Sequence, residues 1–410
     1  MPKGDIVVGL DIGTTKVATI IAEVAHEGGR VDILGVGTAP SQGLRRGVVV
    51  DIERTVGAII ESRDKAQRMA GAEVHSCVVG VTGEHIASVN SKGVIAITHP
   101  DRQVTEEDVA RVMENSRVIV LPPDRDIIHA IPRGFTLDGQ NGIRSPVGMS
   151  GTRLEVETHI VTGATTFLRN VATCVERAGL RIEDMVLEPI ATADSVLMNA
   201  EKDLGVALVD IGGGTSDIAI FQNGDICWSG VVPVGGVYVT RDIAAGLRAS
   251  LEEAERVKLE HGTTQLNGLM TGATFNYRHV GSDEEITERA QLLAEIIEPR
   301  MHELFTMVKA EINRSNFASR LPAGVVVSGG GAMLAGARDL AGEITGLPVR
   351  IGFPGGVGGL GESVAAPSFA TGVGLVQWGG RLHAGLGRRE TAGGFLAAVR
   401  DWIRRILRGG

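Results

Sequence analysis

Residues 206–217, VALVDIGGGTSD, decide the fold, and residues 7–17, VVGLDIGTTKV, echo them. Each stretch is a short apolar run that meets an Asp-Ile-Gly turn. Each then resumes strand patterning, as Val17-Ala18-Thr19-Ile20-Ile21 in one and Ile218-Ala219-Ile220-Phe221 in the other. The pattern predicts a β-hairpin whose tip carries almost no side chain. Glycine lets backbone N–H groups turn toward a ligand and lets the ligand come close, and successive N–H groups in such a turn form a concavity for anions. Gly13, Thr14, Thr15 and Lys16 in one tip, and Gly212, Gly213, Gly214 and Thr215 in the other, are therefore candidate phosphate-binding residues. Lys16 adds a point charge for a β- or γ-phosphate. Asp11 and Asp210 stand where strand meets turn. A carboxylate there repels a bare phosphate, so the pair reads as the protein side of a hydrated Mg²⁺ site. Ordinary hairpins also use Asp-Gly and Gly-Gly turns. Two copies at corresponding places favour two half-molecules closing on one nucleotide. Neither copy is a P-loop or a GxGxxG dinucleotide fingerprint.

The 410 residues suffice for two or more domains, and 43% hydrophobic residues without a low-complexity tract make most of the chain globular. A net charge of −9 argues against nucleic acid as a partner, because phosphate-backbone binding rests on clustered Lys and Arg. Cys77, Cys174 and Cys227 are isolated, which suggests small buried hydrophobes in a reducing compartment rather than a zinc site or disulfides. The N-terminus enters a strand at once, leaving no room for a signal peptide, and no stretch approaches the roughly 20 apolar residues of a membrane span. The expectation is a cytoplasmic protein whose membrane contact is peripheral.

Along the chain, residues 5–40 read as three strands, 51–71 as a helix stopped by Gly71, and 77–82 as a further strand. From Gly83 to Gly163 the character changes. Thr105-Glu106-Glu107-Asp108 opens a helix with a capping box, set among strands at 93–98, 127–132 and 153–162 with a turn-rich link at 137–151. This is read as an inserted small α+β subdomain. Helices are expected at 164–179 and 187–199. The second hairpin unit then repeats the first, with strands at 206–211, 217–222 and 226–233. Further helices are expected at 242–262, 287–313, 332–345 and 367–378, and strands at 324–327 and 349–351. Each half holds a hairpin sheet with covering helices, so an internal duplication with insertions is the simplest account.

Gly329, Gly330 and Gly331 lie between a strand and a predicted helix, whose N-terminal N–H groups make a wall for a nucleoside. Glu255 and Lys258, three apart on a helix, are placed to grip a ribose or base edge, although the same spacing suits a solvated ion pair. Glu188, before Pro189, is a candidate to orient an attacking water. In 395–407, FLAAVRDWIRRIL, a turn of about 100° per residue puts Phe395, Leu396, Val399, Trp402, Ile403, Ile406 and Leu407 within an arc of about 140°. Arg400, Asp401, Arg404, Arg405 and Arg408 fall opposite. Such a helix lies in the headgroup plane, with arginines such as Arg404 favouring anionic lipid. At about 20 Å it cannot span. The glycine-rich segment 381–394 before it reads as a flexible tether.

Taken together these residues resemble the FtsA family of actin-like bacterial cell-division proteins. The resemblance runs from DIGTTK (11–16) through DIIHAIPRGFTLDGQNGI (126–143), PVGMSGTRLEVETHIVTG (146–163), LEPIATADSVL (187–197), VVSGGGAML (326–334) and SFATGVGLV (368–376) to the terminal helix. It implies an α/β actin-like fold of two duplicated halves around a nucleotide cleft. The first half is 1–83 with 163–200 and about 355–380, carrying the insert 84–162. The second is 201–250 with 319–354 and a helical subdomain 251–318, followed by the linker 381–394 and the membrane helix 395–408. It implies ATP and Mg²⁺ as ligands, with adenosine near Glu255, Lys258 and Gly329–Gly331. It also implies slow hydrolysis at most, and self-assembly into filaments on the inner face of the cytoplasmic membrane at the septum. The C-terminal tail of FtsZ would bind 251–318, and later division proteins would meet the insert. Tyr238 stands where that family often has a polar residue or His, and is expected to have no ligand role. Rival expectations within the fold superfamily are a soluble ATPase or sugar kinase, an Hsp70-type ATPase, MreB and a pilus-assembly scaffold.

Overall fold

The computed structural model describes residues 4–25, 30–266, 272–281 and 284–384. Strands β1 (Gly4–Ile12) and β2 (Lys16–Ala25) form the expected antiparallel hairpin, and β3 (Val31–Pro40) adds antiparallel to β2. After a two-rung ladder of β4 (Leu44–Arg45) and β5 (Val48–Val49) comes α1 (Ile52–Ala70). It begins where the Asp51 carboxylate accepts from the Arg54 N–H and ends at Gly71 in the left-handed region, φ 64°. Strand β6 (Ser76–Val81) then runs parallel to β1.

The inserted segment has its own sheet and core. Its elements are β7 (Ala87–Ala96), α2 (Glu106–Arg117), β8 (Arg125–Leu137), β9 (Gln140–Ile143) and β10 (Arg153–Ala164), with strand order β7-β10-β8-β9. The Thr105–Asp108 capping box is present, and Val112, Phe135, Leu154 and Val156 bury between helix and sheet. Strands are longer than the periodicity suggested, and the link at 137–151 contains β9, because cross-strand pairing extends order into turn-rich sequence. Helix α3 (Thr165–Arg177) follows as expected. The next stretch departs from expectation: β11 (Arg181–Leu187) is a strand parallel to β6, and 187–199 divides into α4 (Glu188–Val196) and α5 (Asn199–Leu204).

The second half repeats the first. Strands β12 (Val206–Ile211), β13 (Ser216–Gln222) and β14 (Asp225–Val232) are an antiparallel meander. The helix expected at 242–262 is two, α6 (Gly236–Leu247) and α7 (Leu251–His261), parted where Arg248 turns left-handed and Ser250 caps α7. The largely helical reading of 263–318 is also corrected. A hairpin of β15 (Thr274–Arg278) and β16 (Glu285–Arg289) precedes α8 (Ala290–Arg314). Then come β17 (Val325–Ser328), α9 (Ala337–Thr345), β18 (Val349–Ile351), β19 (Val357–Gly359) and α10 (Ala370–His383). Helix α10 runs three residues into the segment read as linker. Residues 385–394 of that linker and the helix expected at 395–408 lie outside the described residues.

The two main sheets are ordered β11-β6-β1-β2-β3-β19 and β14-β13-β12-β17-β18. Each has a three-stranded meander joined to two parallel strands in the same succession, which gives the duplication a structural basis. The first sheet is covered on both faces, which is why its strands read as continuous apolar runs. Val8, Leu10 and Ile21 face Ile59 of α1 and Leu168 of α3, while Val7, Ile20 and Ile33 face Val373 and Val376 of α10. Each such side chain contributes about 1.5–3 kcal/mol by leaving water. Helix α10 also crosses α4 with no room for a side chain, since a Cβ on Gly374 would lie 1.7 Å from the Ala191 carbonyl oxygen. That crossing brings residues of both helices to the edge of the cleft between the halves.

Candidate functional site

Both Asp-Ile-Gly turns close in the same way. The Gly13 N–H donates to the Lys16 carbonyl at 3.0 Å, and the Gly212 N–H donates to the Thr215 carbonyl at 2.9 Å. The two tips face each other across the cleft. A Cβ on Gly213 would lie 2.6 Å from Thr15, and one on Gly214 would lie 2.5 Å from the Thr14 hydroxyl, so side chains there would push the tips apart. The Gly236 and Val237 N–H groups donate to the Gly212 and Gly213 carbonyls, tying the start of α6 to the second tip.

Between the tips opens a cavity of about 410 Å³, within the usual range for small-molecule sites. Every cleft residue singled out in the sequence lines it: Asp11, Gly13–Lys16, Glu188, Asp210, Gly212–Thr215, Glu255, Lys258 and Gly329–Gly331. The membrane-binding candidates Phe395, Leu396, Val399, Trp402, Ile403, Arg404, Ile406 and Leu407 lie outside the described residues. Sequence reasoning missed Thr82, Asp217, Ser368 and Thr371, which also line the cavity, and its apolar end at Val239, Met301, Met333 and Leu334. The motif GTSD did carry Asp217. Its cross-strand partner is Asp210, whereas Asp11 faces Ala18 in the first hairpin, so the duplicated pattern hid it.

The polar end is crowded with acid. Asp11, Asp210 and Asp217 are buried, and the Asp210 carboxylate accepts from the hydroxyls of Thr192 (2.6 Å) and Thr371 (3.1 Å), supplied by α4 and α10. Asp217 accepts from the Thr82 hydroxyl. Burial, opposed by Lys16 and aided by Asp210, raises Asp11 to about 6. Burial likewise raises Asp217 to about 7, and it raises Glu188 well above the carboxylate range with help from its three acidic neighbours. Burial lowers Lys16, whose ammonium donates to the Ser368 carbonyl at 2.7 Å and sits 3.8 Å from the centre of the Phe369 ring. A site that holds four carboxylates against their charge gains from a cation. Among the described residues no three carboxylate, imidazole or thiol groups converge at metal-ligand geometry.

At the other end, Lys258 Nζ donates to Glu255 (2.7 Å), to the Thr240 hydroxyl (2.9 Å) and to the Gly236 carbonyl (3.2 Å). The pair is thus a part-buried network on the cavity wall, more than a solvated surface contact. The wall at Gly329–Gly331 differs from expectation. Gly330–Met333 is a 3₁₀ turn, and α9 starts only at Ala337, after Gly336 turns left-handed at φ 80°. A Cβ on Gly331 would lie 2.2 Å from Ile211, and one on Gly329 would lie 2.3 Å from Asp210. These glycines let the turn press against the base of the second hairpin.

Two family models match, described as the SHS2 domain inserted in FtsA over residues 83–162 and as cell division protein FtsA over 207–374. The chain is 45% identical over 377 residues to cell division protein FtsA of Pseudomonas aeruginosa, covering 92% of this chain and 90% of that protein. This chain belongs to the FtsA family of cell division proteins. FtsA membership, at that identity and coverage, sets aside the kinase, Hsp70-type, MreB and pilus-scaffold expectations. The FtsA-family chain is actin-like in fold. It superposes on the PilM–PilN type IV pilus biogenesis complex with TM-score 0.66 at 18% identity, covering 91% of this chain and 98% of that one. It superposes on MreB5 of Spiroplasma citri bound to ADP with TM-score 0.55 at 15% identity, covering 94% and 99%. Among the described residues no helix is long and apolar enough to cross a membrane.

Proposed function

We propose that this FtsA-family protein binds Mg·ATP in the cleft and uses the nucleotide to regulate its assembly into filaments on the inner face of the cytoplasmic membrane at the division septum. The observation that carries the reading is the pair of opposed glycine turns, with Lys16 and the buried carboxylates Asp11, Asp210 and Asp217 around one cavity. Backbone N–H groups of Gly13–Lys16 and Gly212–Thr215 would hold the phosphates. The apolar end, with Glu255, Lys258 and the Gly329–Gly331 turn, would take adenosine. Asp11 and Asp210 would hold the hydrated Mg²⁺, which supplies countercharge to phosphates and carboxylates alike. Glu188 opens α4 at the polar end and would orient a water there, with hydrolysis slow at most, as membership of the FtsA family implies.

The amphipathic segment 395–407 would anchor the filament to anionic lipid. The tail of FtsZ would dock on the helical region 251–318, and later division proteins on the inserted sheet. Family membership and the charge pattern of the terminal segment support these partners. The test is co-sedimentation of full-length protein and a 1–392 truncation with anionic vesicles, with and without Mg·ATP, followed by electron microscopy of the pellets. Vesicle binding and filaments by the full-length chain alone support the proposal. Equal sedimentation of both proteins, or of neither, refutes the terminal anchor.

A further inference from the structure

Arg46 lies in the two-residue loop between β4 and β5, on the first half, with φ 52° followed by Gly47 at φ 73°. A left-handed arginine is uncommon, and such residues persist where surrounding contacts hold them. Two contacts hold this one. Its Nε donates to the hydroxyl of Tyr238 on α6, across the cleft in the second half, with the guanidinium 5.6 Å from the ring centre. Its Nη1 donates to Glu84 at 2.9 Å, at the root of the inserted subdomain. From the second half, Arg241 and Arg300 lie 5.7 and 5.8 Å from the same ring, and Arg300 is fixed by Asp242 and Glu303.

The neighbours on each side complete a circuit. The Gly47 N–H donates to the Thr14 hydroxyl at 3.2 Å, in the first phosphate turn, and the Val237 N–H donates to the Gly213 carbonyl at 2.9 Å, in the second. Thus Arg46 and Tyr238 are each one residue from a direct bond to a hairpin tip, on opposite halves. Gly47 itself lines the cavity.

We infer that Arg46 and Tyr238 form a latch that holds the two halves together at the phosphate end of the cleft, and that its opening gates nucleotide exchange. The inference rests on the nucleotide reading above and adds to it the residues that set residence time. Separating the tips far enough for a nucleoside triphosphate or diphosphate to leave carries the Thr14–Gly47 pair, within the first half, away from the Val237–Gly213 pair, within the second. The Arg46–Tyr238 contact spans that gap, so it must break. Both are positioning residues, since neither is placed to touch the phosphates.

The test uses full-length protein loaded with a fluorescent methylanthraniloyl ADP and chased with excess unlabelled Mg·ADP. Tyr238→Ala and Arg46→Gln are expected to release the probe about three- to tenfold faster, the loss of one part-exposed hydrogen bond. Tyr238→Phe, which keeps the ring but not the hydroxyl, falls between. The double variant is no faster than the faster single one, because both substitutions break one contact. Unchanged release in Arg46→Gln, whose side chain is partly exposed and whose loss should not disturb folding, overturns the latch, as does an additive double variant. Failure of the wild-type protein to bind the probe refutes the nucleotide reading itself, a different outcome from binding without gating.

Discussion

His159 of β10 offers a sharp test of how the inserted subdomain is joined to the second half. The Ser229 hydroxyl on β14 donates to its Nε2 at 3.1 Å, and its Nδ1–H donates to Asn90 Oδ1 at 2.8 Å. The Asn90 amide in turn donates to the Cys227 carbonyl at 3.0 Å. This is a satisfied network for a neutral imidazole, and it covers the backbone edge of β14 with side chains. Burial, reinforced by Arg133, lowers the His159 pKa from 6.5 to about 3. A group whose folded pKa is depressed contributes stability that is whole above 6.5 and is lost as pH falls toward 3, because the unfolded chain takes the proton first. Between pH 6 and 4 the loss is about 1.4 kcal/mol per pH unit from this residue alone.

Replacing it by Gln, which cannot protonate, removes two buried hydrogen bonds and is expected to cost about 2 kcal/mol at pH 8. The wild-type protein loses that same amount through unfolded-state protonation about 1.5 pH units below 6.5. The two stability curves should therefore converge near pH 5, and His159→Gln should be the more stable protein below it. The cleft carboxylates, whose pKa values move the other way, are common to both proteins and cancel in the difference. Urea denaturation followed by tryptophan fluorescence at pH 8, 6.5, 5.5 and 5 measures the curves. A stability difference that stays constant across that range would refute the neutral, buried imidazole.

Three further expectations concern the cleft and the membrane. Gly374→Ala puts a methyl group into the Ala191 backbone and should destabilise the protein by about 1–3 kcal/mol or more, seen as a lower urea midpoint. The effect should exceed that of Gly57→Ala, where a Cβ meets nothing within 4 Å. Asp210→Asn keeps an acceptor for Thr192 and Thr371 but removes the charge, so Mg·ATP affinity by calorimetry should fall by about tenfold or more. Unchanged affinity would remove Asp210 from the metal side of the site. Trp402→Glu should abolish sedimentation with anionic vesicles while nucleotide binding persists. Vesicle binding equal to wild type would end the assignment of 395–407 as the anchor.

Local chemistry made much of the molecule readable in the sequence. The two hairpins, the Gly71 stop of α1 and the capping box of α2 are set by residues within a few positions of one another, where turn and capping rules act. The glycine turns announced the site for the same reason: a tip without side chains is a property of four adjacent residues. The repeated strand–turn–strand pattern also suggested the duplication, and the change of character after Gly83 suggested the insert.

What escaped it depended on distant partners. β11, with acidic residues at 183 and 184, is a strand because β6 offers it a parallel edge, and the β15–β16 hairpin exists because its two strands pair across an intervening loop. The helix at 242–262 breaks at Arg248, where α7 turns back to pack on α6 and β15. In the site, no local rule could say that Thr192 and Thr371 would converge on Asp210 or that Arg46 would meet Tyr238, residues separated by 192 positions. Spacing in the chain determines which groups each turn presents. Only the packing of one half against the other determines which of them meet, because contact energy depends on distance in space and the chain order does not encode it.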